Sequence, residues 1–360
     1  MRRLRRFRGG GGLPALALGL ALVAGACSGG GGTAGAGLDA EFRPTAGERQ
    51  VQFTGAAKLG IGATLALPPN AKGPVPAVLI IPAPGATNRD GPLVDRPPDP
   101  LYKDLSATLT NAGVAALRYD HRGVGASQLA ADQQLGWDDM VADAKEALNF
   151  LSQRREVDAS RIAVVGHDMG GTIALTLAAT DSRVKSVALV SAPGRPLVDV
   201  WADGFKVNGQ ASVDAFRAMI DGLLATGSLP PRDSIRPEYQ SLLPPGEDAF
   251  FRGMFSADPL AASRAVKVPV LIAVGERSTT VSGVDATALA GTLGGTSEVV
   301  VAANSSATLQ QILPAPVRVF DPTDMDSHGL GPPVADAPRE QSTVDHIALF
   351  LASSVGAHTG

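Results

Sequence analysis

The residues most able to do chemistry together lie in the run Arg161-Ile162-Ala163-Val164-Val165-Gly166-His167-Asp168-Met169-Gly170-Gly171. An apolar strand pattern runs there into a tight turn flanked by glycines and then into a helix, the arrangement of a nucleophile elbow. The glycines are needed because the turn packs too closely for side chains, and the central residue is thrust out at a helix N-terminus. Elbows of this kind usually present a serine; this one presents Asp168. A carboxylate can displace a leaving group from carbon, and an activated water then hydrolyses the resulting ester. It is poorly suited to ordinary esterolysis, because its attack on an ester would form a mixed anhydride, an uphill step.

An elbow needs a sheet to rise from, and the chain supplies one. After Glu48, short β-branched or aliphatic runs alternate with helical patterns, the order that predicts a mostly parallel sheet covered by helices. Strands are expected near Gln50 to Thr54, Ala63 to Leu67, Ala77 to Pro82, Val114 to Tyr119, Arg161 to Val165, Val184 to Val190, Val268 to Val274 and Glu298 to Val301. Apolar residues recurring at three and four predict helices near Leu101 to Ala112, Trp137 to Arg154, Met169 to Thr180, Asp285 to Leu293 and Thr343 to Ser354. From about 198 to 262 the rhythm breaks into one helix near Val213 to Ala225 and a Pro-rich run, read as a cap over the carboxyl edge of the sheet. A second irregular stretch, 303 to 333, is longer than such connections usually are, which marks it as functional or mobile.

Composition removes several classes of function. With 360 residues, 44% of them hydrophobic, the chain can bury a sizeable core in one main domain. A net charge of -4 gives no basic footprint for phosphates, so no nucleic-acid partner is expected. No cluster of His, Cys and carboxylate shows ligand spacing, so no metal is expected. The glycines after the third strand are not followed by Gly-Lys-Ser/Thr, and no cofactor is implied.

The dense positive run Arg2, Arg3, Arg5, Arg6 and Arg8 is followed by an apolar stretch from Leu13 to Val23. That is a secretory signal pattern, too short for the about 20 residues a membrane-spanning helix needs. It ends in Ala24-Gly25-Ala26-Cys27, similar to a bacterial lipobox, with Cys27 the single cysteine and Ala24 where a larger aliphatic residue is usual. Lipidation of Cys27 is expected, placing the protein on the outer side of the cytoplasmic membrane through a lipid anchor; a cleaved signal and secretion is the alternative. Residues 1–27 are then the leader, 28–40 a Gly-rich flexible tether, and 41–360 the folded domain.

Beyond the elbow, further segments carry a resemblance. Gly85-Ala86-Thr87-Asn88-Arg89-Asp90-Gly91, Leu117-Arg118-Tyr119-Asp120-His121-Arg122-Gly123-Val124-Gly125, Pro193-Gly194-Arg195-Pro196-Leu197, Asp258-Pro259-Leu260 and Pro269-Val270-Leu271-Ile272 extend it over most of residues 50 to 355. The chain resembles the α/β-hydrolase superfamily, within it the bacterial EstD-type carboxylesterases and serine-aminopeptidase-like hydrolases. The resemblance implies an α/β fold with eight mostly parallel strands, flanking helices and a small cap. It places the family's serine on Asp168 and its histidine on His328, within Asp326-Ser327-His328-Gly329-Leu330. The acid position, normally Gly-x-x-Asp, reads Gly275-Glu276-Arg277-Ser278, so a serine stands there; Glu276, Asp199 and Asp326 are candidate substitutes.

The same resemblance assigns one oxyanion N–H to Met169 and the other to the loop after the third strand. There the family's His-Gly-Ser-Gly falls on Pro82-Ala83-Pro84-Gly85, and Pro84 has no N–H, which leaves Gly85. His346 and His121 are read as surface or structural. Three readings stay open: a hydrolase of the carboxylic-ester lineage acting on a small molecule through Asp168 and His328; a degenerate hydrolase kept as a ligand-binding or partner-binding lipoprotein; and an Asp-nucleophile dehalogenase or epoxide hydrolase. For the last, leaving-group donors are few, with Trp137, Trp201 and the cap's Tyr239 as the inventory.

Overall fold

Eight runs of β-branched and aliphatic residues form strands: β1 (Glu48–Thr54), β2 (Gly60–Ala66), β3 (Val75–Ile81), β4 (Ala115–Tyr119), β5 (Val157–His167), β6 (Val184–Val190), β7 (Val270–Gly275) and β8 (Ser297–Ala302). The structure is a computed structural model that describes residues 47–85, 87–92, 99–127, 129, 135–312 and 338–357. Cys27, the whole of the tether, Asp326 and His328 lie outside them.

The strands join one sheet in the order β1-β2-β4-β3-β5-β6-β7-β8. Pairing is antiparallel at β1–β2 and β2–β4 and parallel from β4 to β8. The central strands are buried on both faces, which is why they read as continuous apolar runs rather than alternating ones. Ala77, Leu79 and Ile81 of β3 face one core while Val78 and Ile80 face the other, and β5, β6 and β7 split the same way. Burying each such Leu, Ile or Val side chain stabilises the fold by roughly 1.5–3 kcal/mol.

Helices α1 (Leu101–Asn111), α2 (Trp137–Ser152) and α3 (Met169–Thr180) follow β3, β4 and β5 as parallel crossovers. The cap comes next: α4 (Leu197–Gly204), α5 (Gln210–Thr226), α6 (Pro237–Gln240), α7 (Asp248–Ser256) and α8 (Pro259–Ala265). Helices α9 (Gly283–Thr292) and α10 (Gln341–Ser354) complete the chain. Leu101, Leu105 and Leu109 of α1 share one core with Val344, Ile347 and Leu351 of α10; residues of α2, α3 and α9 fill the other.

The expected eight strands and flanking helices are all present. The differences lie in the cap, where the structure adds α4, α6, α7 and α8 to the one foreseen helix. Their apolar pattern is too brief to be periodic, yet Trp201, Phe205, Phe216, Tyr239, Phe251 and Phe255 pack there ring to ring at 4.6 to 6.4 Å. Strand β5 also begins four residues early, at Val157, because Asp158 ties Ser160 and Arg161 locally and β5 shifts register before settling beside β3.

Candidate active site

Strand β5 ends at His167 and α3 begins at Met169, leaving one residue to make the turn. Asp168 makes it at φ 51° and ψ -126°, left-handed backbone that non-glycine residues avoid. Such a conformation costs of order 1–3 kcal/mol and persists only where its surroundings enforce it. Here Asp168 N–H donates to Val190 O at 2.9 Å and Gly171 N–H donates to Asp168 O at 2.9 Å. The flanking glycines close the turn: a Cβ on Gly166 would lie 2.4 Å from Gly170 O, and one on Gly170 would lie 2.5 Å from Pro82 O. The second contact brings the elbow directly against the loop after β3.

Asp168 is half-buried, and the enclosure of its carboxyl raises its pKa from 3.8 to about 6, with the Met169 N–H pulling the other way. The carboxyl is thus a much stronger base than an exposed aspartate while still mostly ionised at neutral pH.

In the loop after β3, three consecutive residues have different fates. Ala83 N–H donates to Tyr102 Oη at 2.9 Å, Pro84 has no N–H, and Gly85, at φ 101°, has an N–H with no partner among the described residues. The Tyr102 hydroxyl lies 2.9 Å from His167 Nδ1. On the other side, His121 Nε2 donates to Pro82 O at 3.0 Å. Burial drives both histidines down to about 4, so both are neutral. The sequence reading left Tyr102 and His167 out of the site. Nothing local marks Tyr102, whose spacing fits the apolar face of α1.

Two buried ion pairs brace the loops after β3 and β4. Arg89 Nε and N–H both donate to Asp120 Oδ1, at 3.0 and 2.8 Å, and Asp120 Oδ2 also takes Ala126 N–H at 2.8 Å. Arg122 holds Asp143 through Nε and Nη2, both at 2.7 Å, while Asp143 accepts Ala56 N–H at 2.7 Å. Arg339 binds Asp99 at 2.6 Å, Asp104 at 2.9 Å and Thr308 O at 2.5 Å, tying the two ends of the segment that contains His328 to the start of α1.

The acid-position candidates are engaged elsewhere. Ser278 Oγ accepts Val281 N–H at 3.3 Å within the turn after β7. Glu276 is exposed, its Oε2 accepting Asn304 N–H at 2.8 Å, and Asp199 pairs with Arg217. None is brought against a histidine among the described residues. His346, by contrast, stands on the surface against Glu298 at 2.8 Å. The donors considered for a halide or epoxide are enclosed: Trp137 and Trp201 are buried, and Tyr239 Oη donates to Ser212 O at 2.5 Å.

Solved structures share this fold. Est1E from Butyrivibrio proteoclasticus superposes with a TM-score of 0.53 at 14% identity, over 85% of this chain and 99% of that one. GrgF from Penicillium sp. sh18, an alpha/beta hydrolase, gives 0.55 at 16%, over 86% and 99%. The chain has an α/β-hydrolase fold. Residues 100–215 match the family described as serine aminopeptidase, S33. That span contains Asp168 but neither position 278 nor 328. Esterase EstD of Thermotoga maritima is 26% identical over 217 residues, 58% of this chain and 48% of that protein. The chain spans about half or less of the length of the curated relatives it matches.

Proposed function

We propose that this α/β-hydrolase is an exported, lipid-anchored enzyme that hydrolyses small carboxylic esters through Asp168 as the reacting carboxylate. The observation that carries the reading is the strained elbow, which keeps Asp168 at the N-terminus of α3, where burial raises its carboxyl pKa to about 6. A base is most effective when its pKa lies near the working pH. The carboxylate takes a proton from water as that water adds to the ester carbonyl. The resulting oxyanion is met by the Gly85 N–H and by the Met169 N–H, which turns to it from the Asp168 carboxyl once that group has taken the proton. The intermediate then collapses, and the proton held on Asp168 passes through His328 to the departing alkoxide, leaving acid and alcohol. Water as nucleophile avoids the mixed anhydride that direct attack by the carboxylate would form.

The working form is the ionised one, so the sign of the pH dependence is fixed. On nitrophenyl esters, kcat/KM is expected to rise with pH through about 6, matching the raised carboxyl, and to level off above it. A profile flat from pH 4 to 8 would count against Asp168 as the base.

A second reading, a degenerate hydrolase retained for binding, draws support from the loop after β3, where Pro84 offers no N–H and Ala83 N–H is taken by Tyr102. Loss of one oxyanion donor alone typically costs about 100- to 1000-fold in rate. Purified protein that binds esters without turning them over would favour this reading.

Export and anchoring rest on the Arg-rich N-terminus, the apolar stretch from Leu13 to Val23 and Cys27. Cys27→Ser is expected to move the protein from the membrane fraction to the soluble fraction. Retention in the membrane would argue against the lipid anchor.

A further inference from the structure

Consecutive backbone groups of the β3 loop are held by buried side chains. Pro82 O accepts from His121, and Ala83 N–H donates to Tyr102 Oη, which lies 2.9 Å from His167 Nδ1. All three side chains are buried, Tyr102 to 1% exposure. A backbone N–H can only donate, so the hydroxyl oxygen accepts from Ala83, and the phenol shares a second hydrogen bond with the imidazole. The phenol is a strut of two hydrogen bonds between the loop that presents Gly85 and the residue covalently joined to Asp168. The ring itself meets the imidazole edge to face, 5.7 Å between centroids.

We propose that Tyr102 is the positioning residue of this site: its hydroxyl sets the separation between the Asp168 carboxylate and the Gly85 N–H, so that both meet the same ester carbonyl. The inference rests on the function proposed above. Without the hydroxyl, Ala83 N–H and His167 Nδ1 lose their partners while Gly170 still touches Pro82, and the loop shifts against the elbow. A displacement near 1 Å of a reacting or stabilising group can cost about 100-fold in rate.

Tyr119 provides a matched control. It is equally buried, at the end of β4, and its hydroxyl has no partner among the described residues. The test compares Tyr102→Phe with Tyr119→Phe in the full chain, reading kcat and KM on nitrophenyl esters and hydrogen exchange at the Ala83 amide. Tyr102→Phe is expected to lower kcat roughly 10- to 100-fold, to leave KM within about twofold, and to speed exchange at Ala83. Tyr119→Phe is expected to change none of the three.

A second pair covers the case in which Tyr102→Phe does not fold. His167→Asn places an amide oxygen near the position of Nδ1 and is expected to keep kcat within about fivefold, whereas His167→Leu loses it. An unchanged kcat in Tyr102→Phe, an equal loss in Tyr119→Phe, or equal kcat in the two His167 variants would overturn the inference and leave the proposed function standing. A wild-type chain with no turnover on any ester overturns both.

Discussion

Asp168→Gly is expected to abolish most of the activity and yet raise the melting temperature. Two effects act in the same direction on stability. Glycine adopts φ 51° without strain, recovering part of the roughly 1–3 kcal/mol that an aspartate stores there. The substitution also removes a carboxyl that is costly to ionise where it stands. Because its folded pKa, about 6, lies above its unfolded value of 3.8, its penalty is absent below about pH 4 and complete above about pH 6. The gain in stability should therefore be larger at pH 7 than at pH 4.

Activity should move the opposite way. Removing a positioned base costs about 100- to 10,000-fold, and Asp168→Asn, which keeps the shape of the side chain, should lose nearly as much as glycine does. Calorimetry at the two pH values together with ester turnover checks both halves. Unchanged turnover, or a melting temperature lowered at pH 7, would sink the account of this residue. A stabilising change that destroys activity is the signature of strain kept for function.

The largest loss of stability is expected at Asp143. Its carboxylate takes two hydrogen bonds from Arg122 and the N–H of Ala56, so it joins α2 to the loops after β4 and β1. Both side chains are almost fully enclosed, at 3% and 2% exposure. Removing Asp143 leaves the buried Arg122 guanidinium with only the part-exposed carboxylate of Asp139, at 3.3 Å, so the loss falls at the lower end of the about 3–5 kcal/mol expected for a broken buried pair. Asp143→Ala should lower the melting temperature by roughly 10 °C, given about 2–4 °C per kcal/mol for a domain of this size. Exchanging the whole pair for apolar residues should cost much less. Thermal unfolding of the single and double variants separates these outcomes, and equal losses would contradict the unpaired-charge explanation.

The sheet could be read from the sequence because its signals are local. Runs such as Val75–Ile81 and Val184–Val190 carry β-branched residues between glycine and proline breaks, and the helices between them show their spacing over eleven residues or more. Asp168 was legible for the same reason, since the glycines that force the elbow stand within three residues of it. The support of the site was not legible. Tyr102 and His167 are 65 residues apart, Asp104 and Arg339 are 235 apart, and neither pair leaves a mark in its own neighbourhood.

The acid position shows the limit from the other side. Spacing directed attention to Glu276 and Ser278, but the first holds Asn304 N–H at the end of β8 and the second closes its own turn. The cap was only partly legible because its helices are short and are held by rings meeting across segments, as where Trp201 of α4 packs on Phe255 of α7 at 5.3 Å.

The central claim is that Asp168 delivers water to the ester rather than attacking it. A single turnover with enzyme in excess, run in ¹⁸O-labelled water, tests this directly by mass spectrometry of the product acid and of the peptide that carries Asp168. The account predicts one labelled oxygen in the product acid and none in the Asp168 carboxyl. Label in that carboxyl would mean that Asp168 had formed a bond to the substrate, and would contradict it.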